Sequence, residues 1–183
     1  MSVDNTLLRS TRWQAGELIF WSFAFIAPWL LAPHALIINE IAIVALFAVS
    51  LDLVLGYTGI VSLGHAAFLG FGAYTAALFA KHMCPDPLLG LAVGIGAATL
   101  LGAACSLSIM RGSDLTRLMV TLGTALILLE LANKFSDLTG GADGLQGVIM
   151  GPLLGKFEFD LIGQTSAWYS LTVLFILFVL ARR

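Results

Sequence analysis

Six apolar runs, at residues 18–38, 41–55, 66–80, 88–110, 118–132 and 166–181, leave this chain little choice of environment. Within them the only Asp, Glu, Lys or Arg side chains are Asp52 and Glu130. Only 11% of the 183 residues are charged and 59% are hydrophobic, whereas soluble domains carry about 25% charged residues. The expectation is an all-α integral membrane protein of about six apolar segments. At 1.5 Å per residue the run at 88–110 crosses a hydrocarbon core of about 30 Å comfortably. The runs at 41–55 and 66–80 are short for straight spans, so they either extend into the stretch between them or pair as a re-entrant hairpin. Pro28 and Pro33 kink the first segment or end it early.

Charge outside the runs predicts orientation. Arg9 and Arg12 precede the first run, Arg111 and Arg117 flank the turn between the fourth and fifth, and Arg182 and Arg183 follow the last. Lys81, Lys134 and Lys156 fall on the other side. Six basic residues against three place both termini in the cytoplasm by the positive-inside rule. Residues 1–17 then form a cytoplasmic N-terminal segment, residues 18–183 the transmembrane domain, and residues 133–165 an outer loop. The first run has no small-x-small cleavage pattern and is long enough to span, so it reads as an uncleaved helix.

Several functions are disfavoured by the residues present. A net charge of −2 gives no footprint for nucleic acid. Cys84 and Cys105 are far apart and form no metal or disulfide pattern. His34, His65 and His82 lack ligand spacing, so no metal site is expected. The glycine-rich segment TGGADGLQG in the outer loop lacks the Gly-Lys-Ser/Thr of a phosphate loop. No nucleophile–base arrangement can be assembled, and no enzymatic chemistry or cofactor is expected within the chain.

The region 56–65 is different. It places Gly56, Tyr57, Gly59, Ser62, Gly64 and His65 between two apolar runs, where a broken or re-entrant element is expected. A plain spanning helix gains nothing from such an interruption. A transporter does gain, because discontinuous helices bring backbone dipoles to membrane depth. Asp52 and Glu130 lie near helix ends, so each either pairs at an interface or lines a polar pathway. His65 is a helix-end hydrogen-bonding group or a gate. In the fourth run Gly90, Gly94, Ala98, Gly102 and Ser106 recur every four residues, stacking small side chains on one face for close helix approach.

The stretch LGYTGIVSLGHAAFLGFGAYTAALFA at 55–80 resembles the signature of inner-membrane permeases of branched-chain amino acid ABC importers, LivM type, in which LGY-x-G-x-x-SLGHAAF follows a short apolar segment. RGSDLTRLMVTLG at 111–123 and LTGGADGLQG at 138–147 agree in order, and the resemblance covers roughly residues 41–181. It implies a transmembrane subunit in a bacterial inner membrane that forms part of a pathway for amino acids or related small solutes. Implied partners are a second permease subunit, cytoplasmic ATPase subunits that use ATP, a periplasmic binding protein and membrane lipid. Helix amides near Gly64 or His65 are then candidates to meet a substrate carboxylate. Permeases of this type continue past a helix like 166–181 into a cytoplasmic coupling loop, so the chain is expected to be the N-terminal part of one. Two other readings stay open: an ion-coupled secondary transporter or channel using Asp52 and Glu130, and a truncated, non-transporting membrane protein.

Overall fold

A computed structural model describes residues 15–59, 62–109, 113–159 and 162–182. Arg9, Arg12, Arg111 and Arg183 of the orientation argument lie outside these residues, as do Ile60 and Val61 of the interrupted stretch. The described chain is helical: α1 (Ala15–Leu30), α2 (Ala35–Thr58), α3 (His65–His82), α4 (Pro87–Ile109), α5 (Asp114–Lys134), the single turn α6 (Ser136–Thr139) and α7 (Gln164–Ala181). No strand forms among the described residues; an isolated antiparallel bridge joins Leu153 and Phe157.

The first apolar run does not stay in one helix to residue 38. Pro28 is accommodated inside α1, but Leu31 leaves the helical region and Ala32–His34 make a 3-10 turn with Pro33 in it. A proline fits a first turn at no hydrogen-bonding cost, because the N–H it lacks has no partner one turn back there. The residues after Pro33 therefore join the second run, and α2 reaches 24 residues, about 36 Å at 1.5 Å per residue. The second segment, expected to be short, is long enough to span by itself. By length and composition four helical stretches qualify as spans, Ala32–Tyr57, Pro87–Leu107, Asp114–Lys134 and Gln164–Ala181. The shorter α1 and the 18-residue α3, with His65, Lys81 and His82 at its ends, are not among them. Four spans, rather than about six, is thus the count among the described residues.

The chain divides into two compact units, residues 1–50 with 159–183, and residues 51–158. In the first, α1 and α7 pack around Trp21, which is 7% exposed. Its indole meets Phe175 edge-on at 4.9 Å between centroids and Phe178 at 5.3 Å. Leu171, Leu174 and Ala42 complete the core. Lipid is as apolar as these side chains, so their packing, rather than escape from water, holds the helices together. Polar contacts then fix the pairing of ends. Gln164 Nε2 donates to the Pro28 carbonyl at 3.2 Å, Ser170 Oγ donates to Asn39 Oδ1, and at the opposite end Arg182 pairs with Glu17. The Glu17–Arg182 pair is partly buried, and a double-mutant cycle with Glu17→Ala and Arg182→Ala is expected to give a coupling of about 1 kcal/mol. Unfolding in detergent measures it; strictly additive losses would show that the pair does not form.

In the second unit α3 and α4 are antiparallel and close. A Cβ added to Gly94 would lie 2.9 Å from the Gly72 carbonyl oxygen and 3.2 Å from Ala76 Cβ. Asp86 opens α4 by accepting from the Leu88 N–H at 2.8 Å, and Pro87 occupies the first helical position, a favourable start. Hydroxyls inside the apolar helices bond to their own backbone: Thr75 to Phe71, Thr99 to Ile95, Thr124 to Val120. That keeps them satisfied where no water is available.

The TGGADGLQG motif also has a structural reason. Thr139 Oγ1 is within reach of the Ala132 and Phe135 carbonyls and accepts from the Gly141 N–H at 3.2 Å. Gly140 follows at φ +80°, and any Cβ there would strike the Gly144 carbonyl oxygen. The loop is tied to the α3–α4 turn by Lys81 Nζ to the Gln146 carbonyl at 3.1 Å and by Gly151 N–H to the Pro85 carbonyl at 2.8 Å.

Candidate functional site at the break between α2 and α3

Gly56 and Tyr57 are still helical, in the last turn of α2, and Tyr57 is largely exposed. Gly59 donates its N–H to the Leu55 carbonyl at 2.9 Å with φ +64°. That is the left-handed stop which a glycine supplies at little steric cost. Beyond the two undescribed positions, Ser62 to Gly64 turn into α3, whose first residue is His65. Among the described residues, the expected break within 56–65 falls at Gly59 and at 62–64, between α2 and α3.

Gly64 decides the depth of this turn. It is buried, and a Cβ built on it would lie 2.1 Å from the Thr121 carbonyl oxygen and 2.7 Å from its carbon. Thr121 is itself 2% exposed. It is the eighth residue of α5, about 10 Å along that helix at 1.5 Å per residue. The N-terminus of α3 thus starts level with the body of α5, not with its end. An unwound backbone inside the apolar layer is tolerated where protein or a wet cavity covers it. The Ser62 hydroxyl oxygen lies in this turn, shut off from solvent, with no hydrogen-bond partner among the described residues. Such a group costs about 1–3 kcal/mol when nothing satisfies it. The turn therefore offers a hydroxyl and the amide end of a helix, both donors suited to a carboxylate or carbonyl.

The other candidates are distributed differently. Asp52 lies six residues before the end of α2 and Glu130 four before the end of α5; both are exposed. No hydrogen bond or ion pair joins them among the described residues. Of the small-residue ladder, Gly90, Gly94 and Ala98 face α3 through Gly72 and Ala76, whereas a Cβ on Gly102 meets nothing within 4 Å. Ser106 donates to the Ala103 carbonyl at 2.7 Å. No group of three metal-ligating side chains occurs among the described residues. Sequence reasoning passed over Thr121, whose carbonyl seats Gly64. Its only signal is one of two threonines in a mostly apolar run, and a backbone contact leaves no mark on residue type.

Compared with curated proteins and with solved structures, the chain finds no significant match. The family model described as branched-chain amino acid transport system / permease component matches residues 35–183. That range begins with α2 and includes the break between α2 and α3, the close α3–α4 pair and the loop capped by Thr139. A multi-pass membrane protein built this way, matched over most of its length, belongs to the permease-component family of branched-chain amino acid transport systems.

Proposed function

We propose that the chain is the transmembrane subunit of an ATP-driven importer for amino acids or related small solutes, with the interrupted stretch at 56–65 contributing to its pathway or gate. The observation that carries this reading is the family match together with a helix break in which the Ser62 hydroxyl is shut off from solvent and has no hydrogen-bond partner among the described residues. In this reading Gly56 and Gly59 end α2, Gly64 seats the turn on α5, and Ser62 and His65 present polar groups towards the solute. Tyr57 lies at the mouth. Asp52 and Glu130 sit at opposite margins of the helices.

ATP hydrolysis belongs to cytoplasmic ATPase partners, and the chain holds no cofactor of its own. This agrees with the lack of a phosphate loop in its sequence. A second permease subunit completes the pathway and a periplasmic binding protein delivers the solute. The membrane is a bacterial inner membrane with both termini inside. Two pairings of ends agree with the grouping of segments by side that this orientation uses. Glu17 meets Arg182 within the first unit. Lys81 and Pro85 meet Gln146 and Gly151 within the second. Each pair joins segments that the positive-inside count puts on the same side.

The test is uptake of radiolabelled leucine by cells carrying the complete importer. Ser62→Leu is expected to lower the uptake rate about tenfold, equivalent to about 1.4 kcal/mol, with the protein still inserted. Uptake is expected to stop when ATP is depleted and to persist when the proton gradient alone is collapsed. Unchanged uptake after Ser62→Leu would remove the turn from the pathway. Uptake that follows the ion gradient and ignores ATP would favour ion coupling instead.

A further inference from the structure

The loop after α6 ends in a small hairpin with an unusual tip. Leu153 and Phe157 exchange backbone hydrogen bonds at 2.7 and 3.1 Å, and the Lys156 N–H closes the turn on the Leu153 carbonyl at 3.2 Å. The two central residues, Leu154 and Gly155, have φ +55° and +69°. Turns with positive φ at both centres favour Asn-Gly, because a branched L side chain crowds its own backbone there. Gly155 fits and Leu154 does not. Leu154 is the sole non-glycine residue with positive φ among the described ones. Its side chain is 69% exposed, so the chain itself offers little that rewards the strain. Ile149 is 80% and Phe157 57% exposed in the same segment.

The segment is held at a definite level. Gly151 and Gln146 are bonded to Pro85 and Lys81, at the turn from which the spanning helix α4 begins at Pro87. The apolar tip therefore sits beside the end of a membrane-crossing helix. A strained apolar residue needs a contact that is present in the resting protein, and a spanning helix guarantees one such neighbour, the bilayer surface. Aromatic and aliphatic side chains next to a lysine are the composition this layer favours: the rings and branches enter the headgroup region while the ammonium meets phosphate. Glu158, exposed after Phe157, sets the limit of insertion, since its carboxylate stays in water.

We propose that residues 149–157 form an interfacial lipid anchor, in which Leu154, Phe157 and Ile149 seat in the headgroup layer beside the α3–α4 turn and Lys156 contacts lipid phosphate. The anchor requires that α4 span the membrane, and nothing in it depends on the solute or the energy source. By holding the loop against the bilayer it sets the height of the capped TGGADG segment over the helix ends.

The experiment uses the full chain in nanodiscs of phosphatidylethanolamine and phosphatidylglycerol. Cys84→Ala and Cys105→Ala clear the background, and single nitroxide labels are introduced through Leu154→Cys, Phe157→Cys and, as a water-side reference in the same loop, Asp143→Cys. Labels at 154 and 157 are expected to meet oxygen several-fold more, relative to a water-soluble nickel chelate, than the label at 143. Leu154→Gly, which relieves the backbone, is expected to leave the chain folded and to move the label at 157 towards the nickel chelate. Labels at 154 and 157 as open to nickel as that at 143 would overturn the proposal. So would labels shielded from both reagents, a result that would place the tip under protein.

Discussion

Gly64→Ala is expected to lower stability by about 3 kcal/mol, the upper end of the usual overpacking cost. The added carbon would stand 2.1 Å from the Thr121 carbonyl oxygen. That oxygen is main chain within α5, so no rotamer change relieves the contact and a helix must move. The measurement is thermal unfolding of the purified chain in detergent, with Gly56→Ala as the matched control. Gly56 is a nearby glycine with nothing within 4 Å of an added Cβ. Thr121→Ala is expected not to rescue Gly64→Ala, because it leaves the carbonyl in place. If both glycine variants melt alike, α3 does not start against α5 and the depth assigned to the break is wrong.

The second large effect separates two glycines that the sequence treats as equals. Gly94→Leu is expected to cost about 2–3 kcal/mol by forcing α3 away from α4, since even a Cβ would stand 2.9 Å from the Gly72 carbonyl oxygen. Gly102→Leu, eight residues along the same ladder, is expected to change stability by no more than about 0.5 kcal/mol, as its Cβ meets nothing. Cysteine cross-linking between Ala76→Cys and Gly90→Cys, whose backbones approach within van der Waals range, reports whether the helix pair stays together. Equal losses at 94 and 102 would mean that the whole ladder is packed in the isolated chain.

These two experiments mark where residue patterns stop informing. The four-residue spacing of small side chains puts positions on one side of a helix, where backbones can approach. It cannot say how far along that face a neighbour extends, and α3 reaches Ala98 but not Gly102. The prolines illustrate the same limit. Both threaten the first helix, yet only the residues around Pro33 break it, because Leu31 leaves the helical region while Pro28 is absorbed within α1. That shift of boundary made the second helix long enough to span. Thr139 could have been noticed as a helix-ending threonine before two glycines, but its pairing with the Ala132 and Phe135 carbonyls depends on α6 turning back.

What the sequence determined by itself is the solvent and the type of machine: runs with two carboxylates in all their length belong in lipid, and the LGYTGIVSLGHAAF stretch marks the permease family. Both follow from local chemistry, the cost of moving polar backbone and charge out of water. Only the tertiary structure decided the level of the break. Gly59 and Gly64 can end and begin helices wherever they occur. It is the seat of Gly64 on the backbone of Thr121, a residue far along the chain, that carries the turn about two helical turns in from the start of α5. A contact between two main chains depends on the shape of both helices and on a missing side chain, and so it cannot be read from the residue types of either one.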